Sequence, residues 1–243
     1  MLTWFSNMIT SNYYYFLLPA LYGISRYQFK YVDPVMQVYR RCDPTINKPF
    51  IYPLTIAFWH ILGMTSIIPT ILIATSEHLW KSTEQSTSST VLEYSAAKFV
   101  FGWLIAGLFV TYVKHTVGRL RPNFLAANRI EFDSNDHEWH ETTLQEHARV
   151  CGKMLARESR FSFFSGHAIL GMYAAAYMIL YLQVKLLGYH SLVTHILQFC
   201  ILLLGIYPGV TQARTYWHHP TDVAVGHLSG CVCAYLVFFY VRV

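Results

Sequence analysis

The sequence predicts an all-α, polytopic membrane protein: a bundle of six spanning helices with a further loop helix between the third and fourth. Two observations carry this. The chain has 243 residues, 54% of them hydrophobic and only 13% charged, well under the charged share of a soluble domain. The charges are also excluded from long stretches. Residues 1–25, 51–75, 99–113, 161–184, 186–213 and 223–241 contain no Asp, Glu, Lys or Arg. A hydrocarbon layer about 30 Å thick is crossed by roughly 20 mostly apolar residues in a helix.

In chain order the spans are placed at about 11–26, 51–75, 93–114, 164–185, 190–211 and 221–241. The first is diluted by Ser11, Asn12, Tyr13, Tyr14 and Tyr15. The N-terminal stretch has neither a basic n-region nor a small-residue cleavage site, so it does not read as a cleaved signal peptide. Pro69 and Pro208 fall inside apolar runs, which membrane helices tolerate when neighbours satisfy the freed carbonyls. "KSTEQSTSST" (81–90) is a short polar connector, and 114–160 is the one long polar stretch. From Glu141 onward, Leu144, Ala148, Cys151 and Leu155 recur at helical spacing. That spacing predicts an amphipathic helix on the bundle or the membrane surface. No internal repeat divides the chain, so residues 1–243 read as a single membrane domain.

Parity then gathers the polar chemistry. With six spans, loops 1–2, 3–4 and 5–6 share one membrane face. Fourteen of the eighteen Lys and Arg lie on it. The positive-inside rule would make that face cytoplasmic, but a basic cluster at helix ends is equally an anion site. Cys42 and Cys151 lie in polar loops on the same face. An oxidising compartment there would allow them to pair.

Three segments on this face carry chemistry. In "KHTVGRLRP" (114–122), Lys114 and Arg121 are seven apart, one helix face if the helix continues. A guanidinium fork beside an ammonium suits phosphate oxygens; two cations snorkelling to the interface are the plain alternative. In "FSFFSGHAILGMY" (161–173), Ser165 and Gly166 sit where a membrane helix begins and His167 is in its first turn. A helix N-terminus binds anions; a capping serine with an incidental histidine is the alternative. In "YWHHPTDVAVGH" (216–227), His218 and Asp222 are four apart. A carboxylate one turn away fixes the tautomer of an imidazole and supports charge on it, as a histidine nucleophile requires. The alternatives are an interfacial turn or a metal pair completed by Asp133, Asp136, His137, Glu138, His140 or Glu141.

These residues resemble the three-part motif of the type 2 phosphatidic acid phosphatase (PAP2) superfamily: K-x6-RP, PSGH and SR-x5-H-x3-D. Lys114, Arg121 and Pro122 match the first, Phe164-Ser165-Gly166-His167 the second, and His218 with Asp222 the third. "GRLRPNFL", "RFSFFSGH" and "CDPTINKPFIYP" are similar to the animal lipid phosphate phosphatases in particular. The resemblance implies six helices and a metal-independent reaction without cofactor. It also implies an active site on the extracellular or lumenal face of the plasma membrane or endoplasmic reticulum, and phosphate binding then explains the basic excess. Phosphatidate, lysophosphatidate and related sphingoid or ceramide phosphates are the implied substrates, hydrolysed through a phosphohistidine. The implied partners are phosphorylated and bulk membrane lipids. Nucleic acid is not implied, and self-association is left open. His218 is the implied nucleophile, oriented by Asp222, with His167 protonating the leaving alcohol. Lys114, Arg121, Ser165 and the Gly166 backbone hold the phosphate.

Two positions depart from the pattern. Phe164 replaces the proline, and Thr211-Gln212 replace Ser-Arg. Gln212 brings two donors and no charge; losing an arginine contact in the transition state costs about 10²–10⁴ in rate. Arg214 supplies the missing charge if the segment is extended, since residues two apart then face the same way. If the segment is helical, they do not. A catalytically impaired membrane protein that binds lipid or a partner is therefore the rival reading, and a metal-binding transporter a third.

Overall fold

The structure is a computed structural model and describes residues 20, 23–24, 27, 31–52, 56–82, 95–141, 143–186 and 192–241. The described residues form helices and loops with no strand, only an isolated antiparallel bridge between Tyr39 and His140. The elements are α1 (Phe58–Leu62), a π-helical turn (Gly63–Ile67), α2 (Ile68–Ser82), α3 (Ser95–Val117), α4 (Phe124–Ala127), α5 (Leu144–Cys151), α6 (Lys153–Glu158), α7 (Gly166–Lys185), α8 (Leu192–Arg214) and α9 (Pro220–Tyr240).

Among the described residues, five helices are long and apolar enough to cross a membrane: Trp59–Leu79, Ser95–Val117, Gly166–Lys185, Leu192–Arg214 and Pro220–Tyr240. They match the second to sixth predicted spans, so this is a multi-pass membrane protein. Of the first predicted span, 11–26, only residues 20, 23 and 24 are described, and all three are helical. The second span starts later than predicted, because Ile51 belongs to the loop layer, where its carbonyl accepts from Trp217 Nε1 at 3.1 Å. Its π-turn leads into α2 just before Pro69, a residue that cannot donate and crowds the carbonyl four back in a regular helix.

Helix α7 is central, packed against α9, α8 and α3. Tyr173, Tyr177 and Tyr181 recur every four residues and therefore form one stripe. Their hydroxyls donate to Phe99 O, Ser95 O and Ser76 Oγ at 2.9, 2.9 and 3.1 Å. These bonds satisfy the phenols inside an apolar cluster with Phe99 and Phe238. The other faces of α7 work by closeness. A Cβ on Gly205 of α8 would lie 2.4 Å from Ala175 Cβ. One on Gly230 of α9 would lie 2.6 Å from Ile169 O. Such small-residue contacts let membrane helices approach where no hydrophobic force drives them together.

Loops 1–2 and 3–4 form a layer over one end of the bundle, as parity predicts. Tyr39, Ile46, Leu120, Phe124 and Leu125 make a small core there. Arg160 is fully buried, its guanidinium 5.0 Å over the Phe124 ring and its Nη1 donating to Gln37 O at 3.1 Å. Gly118 (φ 61°) turns the chain out of α3; a Cβ there would strike Val35 O at 2.0 Å. Arg157 Nη2 donates to Val32 O at 2.6 Å. The predicted amphipathic helix exists as two short pieces, α5 and α6, broken at Gly152 (φ 88°). That left-handed φ suits glycine and ends α5, whose start is fixed by a reciprocal Thr143–Glu146 cap. Cys42 is a free thiol, 3.4 Å from His137 Nδ1. The expected partner of Cys42, the Cys151 side chain, lies outside the described residues.

Two predictions follow from this packing. Gly205→Leu should lower stability by about 1–3 kcal/mol, the typical penalty of overpacking, read as a drop in Tm in detergent. His147 lies buried between Tyr39, Phe124 and Arg160. Burial, and then the Arg160 cation, pull its imidazole from 6.5 down to about 4. The unfolded chain therefore binds the proton first, and stability falls as pH drops from about 6.5 toward 4. His147→Gln should flatten Tm across that window; an unchanged pH slope would disprove the assignment.

Candidate active site

The site lies where the end of α3, the start of α7 and the start of α9 meet the loop layer. Lys114, in the last turn of α3, donates from Nζ to Phe161 O at 3.0 Å. Gly118 ends that helix, so Lys114 and Arg121 do not share a helix face as a continued helix would require. Arg121 is placed instead by contacts on three sides. Its backbone N–H donates to Ser159 O at 2.9 Å, and Nη2 pairs with Glu158 Oε2 at 2.7 Å. The guanidinium lies 4.6 Å over the Trp217 ring, a cation–π contact. Its Nε is buried with no partner.

Ser165 is the N-cap of α7, its hydroxyl accepting from Ala168 N at 3.4 Å. Among the described residues, no atom beyond its chain neighbours and its own helix backbone lies within 4 Å of where a Gly166 Cβ would stand. His167 follows in the first turn, with Nε2 buried and unpartnered and Lys114 and Arg121 as its charged neighbours.

His218 is 2% exposed and Asp222 fully buried. The two are not joined as one-turn helix neighbours. His219 is the N-cap of α9, with extended backbone, so His218 precedes the helix and the i,i+4 geometry does not apply. Asp222 Oδ2 stands 3.9 Å from His218 Nδ1, too far for a hydrogen bond. Nδ1 instead meets Ser162 O at 2.5 Å. A carbonyl only accepts, so the proton is on Nδ1 and Nε2 keeps its lone pair. Burial, and then the Lys114 cation, hold this imidazole well below its usual range, with Asp222 opposing them. The ring is therefore neutral at pH 7, the state a nucleophile requires.

Asp222 is held by four contacts. Arg119 Nη1 reaches Oδ1 at 2.5 Å, Ser162 Oγ donates to Oδ2 at 2.5 Å, and His219 N donates to Oδ2 at 3.0 Å. Its main-chain carbonyl accepts from Ser165 N at 3.1 Å. Neither Arg119 nor Ser162 was assigned a role from the motif spacing. Their signal lies outside it, in the first arginine of "GRLRP" and the serine of "RFSFF". His219 has structural work: its Nε2 is 3.1 Å from Leu120 O.

Gln212 is buried, with Nε2 unpartnered; its carbonyl accepts from Trp217 N and His218 N at 3.0 and 3.3 Å. The segment is helical through Arg214, so residues 212 and 214 are turned about 200° apart. Arg214 is exposed and does not stand in for the missing arginine, contrary to the extended-segment expectation. Among the described residues no group of three or more His, Cys, Asp or Glu could hold a metal ion. Asp136 is engaged by His140 Nε2 at 2.9 Å and Arg41 Nη1 at 3.5 Å.

Comparison with known proteins matches this arrangement to one family. The family model described as PAP2 superfamily matches residues 95–243, which include every residue of the cluster. Phospholipid phosphatase 2 of Homo sapiens is 32% identical over 212 residues, covering 82% of this chain and 71% of that protein. Phospholipid phosphatase 1 of Rattus norvegicus is 34% identical over 144 residues, covering 59% of this chain and 50% of that protein. No solved structure gives a significant match. The chain belongs to the PAP2 superfamily, in the branch of the animal phospholipid phosphatases.

Proposed function

We propose that this protein is an integral-membrane lipid phosphate phosphatase that uses no metal. It hydrolyses phosphatidate, lysophosphatidate and related sphingoid and ceramide phosphates to the lipid alcohol and phosphate. One observation carries the reading. A neutral histidine, its Nδ1 proton fixed on Ser162 O, lies beside the cations Lys114 and Arg121, with Arg121 Nε and His167 Nε2 buried and unpartnered. Buried unsatisfied polar groups are rare and call for a ligand or a function; phosphate oxygens satisfy these.

The chemistry balances in two steps. In the first, His218 Nε2 attacks phosphorus, the N–P bond forms, and the P–O bond to the lipid breaks as His167 gives the alkoxide its proton. In the second, water loses a proton to His167 and attacks phosphorus, the N–P bond breaks, and inorganic phosphate departs. Lys114, Arg121, Ser165 and the Gly166 N–H hold the phosphate through both. They stabilise charge as it develops, the work that metal ions perform in many phosphoryl-transfer sites. Gln212 contributes neutral donors only. The active face is extracellular or lumenal, in the plasma membrane or the endoplasmic reticulum, with Lys114 and Arg121 serving anion binding there.

The purified protein should release phosphate from phosphatidate in EDTA; no release would leave lipid binding as the function, and chelator sensitivity would revive a metal site. Brief reaction with radiolabelled substrate should label the wild type and His219→Ala but not His218→Ala. Lys114→Ala and Arg121→Ala should each lower kcat/KM by about 10²-fold or more. Arg214→Ala should stay within about threefold of wild type, and a large loss there would show that Arg214 reaches the phosphate after all.

A further inference from the structure

The hydrogen-bond chain behind the nucleophile does not run from Asp222 to His218. It passes through Ser162, whose hydroxyl donates to Asp222 Oδ2 while its own carbonyl accepts from His218 Nδ1, both at 2.5 Å. The far side of the carboxylate is fixed by Arg119. Its Nη1 bonds Oδ1 at 2.5 Å and the neighbouring Thr221 Oγ1 at 3.0 Å. The two residues come from opposite ends of loop 3–4: Arg119 sits 103 residues before Asp222, Ser162 sits 60 before it.

We infer that Arg119 and Ser162 are positioning residues for the phosphoryl-transfer step: Arg119 clamps the Asp222 carboxylate, and Ser162 relays that anchoring to the His218 imidazole. The inference rests on the reading of His218 as nucleophile. Arg119 occupies one carboxylate oxygen, so the carboxylate cannot rotate and Oδ2 stays on Ser162. Ser162 is completely buried. With its hydroxyl held, its peptide plane is held, and with it the carbonyl that receives the His218 proton. Loss of either link frees the imidazole to rotate or change tautomer, and Nε2 then loses its aim at phosphorus. Neither residue needs to touch the phosphate, so binding should survive while turnover falls. Partners of this kind, one step removed from the reacting group, typically contribute 10–100-fold in metal sites, and a tautomer-fixing aspartate contributes more.

The side chain of Arg119 is 35% exposed but pairs with a buried carboxylate, so the Tm of each variant is followed beside its activity, and Arg119→Lys keeps the charge. The test compares Arg119→Gln, Arg119→Lys, Ser162→Ala and the double variant Arg119→Gln/Ser162→Ala in detergent micelles. The readouts are kcat, KM for phosphatidate and inhibition by orthovanadate, which reports phosphate binding without turnover. Arg119→Gln should lower kcat about 10–100-fold, with KM and the vanadate inhibition constant within about threefold. Arg119→Lys should recover most of kcat, because an ammonium can still hold one carboxylate oxygen. The double variant should be little worse than its weaker parent, since both act through one chain. Unchanged kcat in Arg119→Gln would overturn the inference while leaving the phosphatase reading intact. So would a rise in KM and weaker vanadate inhibition at constant kcat, which would make Arg119 a phosphate ligand. A wild-type protein that releases no phosphate would instead remove the phosphatase reading itself.

Discussion

A single buried carboxylate holds the functional end of this protein together. Asp222 has lost all contact with water, a transfer that is very unfavourable unless the charge is paired and bonded. Its compensation comes from separate parts of the chain: Arg119 after α3, Ser162 before α7 and the His219 N–H at the head of α9. The Ser165 N–H adds a bond to its main chain. Three inter-helix connections are thereby fixed to one another by one side chain. Removing a partner from such a buried charge typically costs about 3–5 kcal/mol, far more than a surface ion pair. The same bonds that satisfy Asp222 set the position of Ser162, and so of His218. Stability and the placement of His218 share one set of contacts here.

The cations around this carboxylate are arranged to be partly free. Arg121 spends one nitrogen on Glu158 and its face on Trp217, yet Nε stays unpartnered. Trp217 is itself steadied by Ile51 O, so the guanidinium rests on a fixed surface. Lys114 is held by a neutral carbonyl, Phe161 O, rather than by an acid. Helix α7 points its N-terminus, with its positive dipole end, into the same space. A ligand with several acceptor oxygens meets more donors here than the protein itself can satisfy.

Much of this was legible in the sequence, for reasons that can be named. Spanning helices are written in uninterrupted apolar runs, so five spans were placed to within a few residues at most ends. Parity alone brought "KHTVGRLRP", "FSFFSGH" and "YWHHPTD" to one face. What failed was local geometry. Lys114 and Arg121 look like one helix face until Gly118 turns the chain. His218 and Asp222 look like helix neighbours until the cap at His219 shifts the start of α9 past His218. Arg119 and Ser162 could not be found by spacing, because their contacts with Asp222 join segments 103 and 60 residues apart. The break at Gly152 was hidden in a pattern whose apolar spacing continues smoothly through it.

Gln212 shows how such a site can lose a charge without losing its shape. Its main-chain carbonyl receives the Trp217 and His218 N–H groups, and those bonds are indifferent to the side chain. The turn that presents His218 therefore forms with glutamine as well as with arginine. The buried Nε2 keeps a donor at the position but adds no repulsion to Lys114, Arg119 and Arg121. Fewer like charges in a desolvated cluster favour the folded, unliganded state, while a dianionic phosphate is attracted less. Active sites commonly trade stability against function in this way. Here the exchange falls on charge alone, leaving the tautomer of His218 and the four bonds of Asp222 untouched.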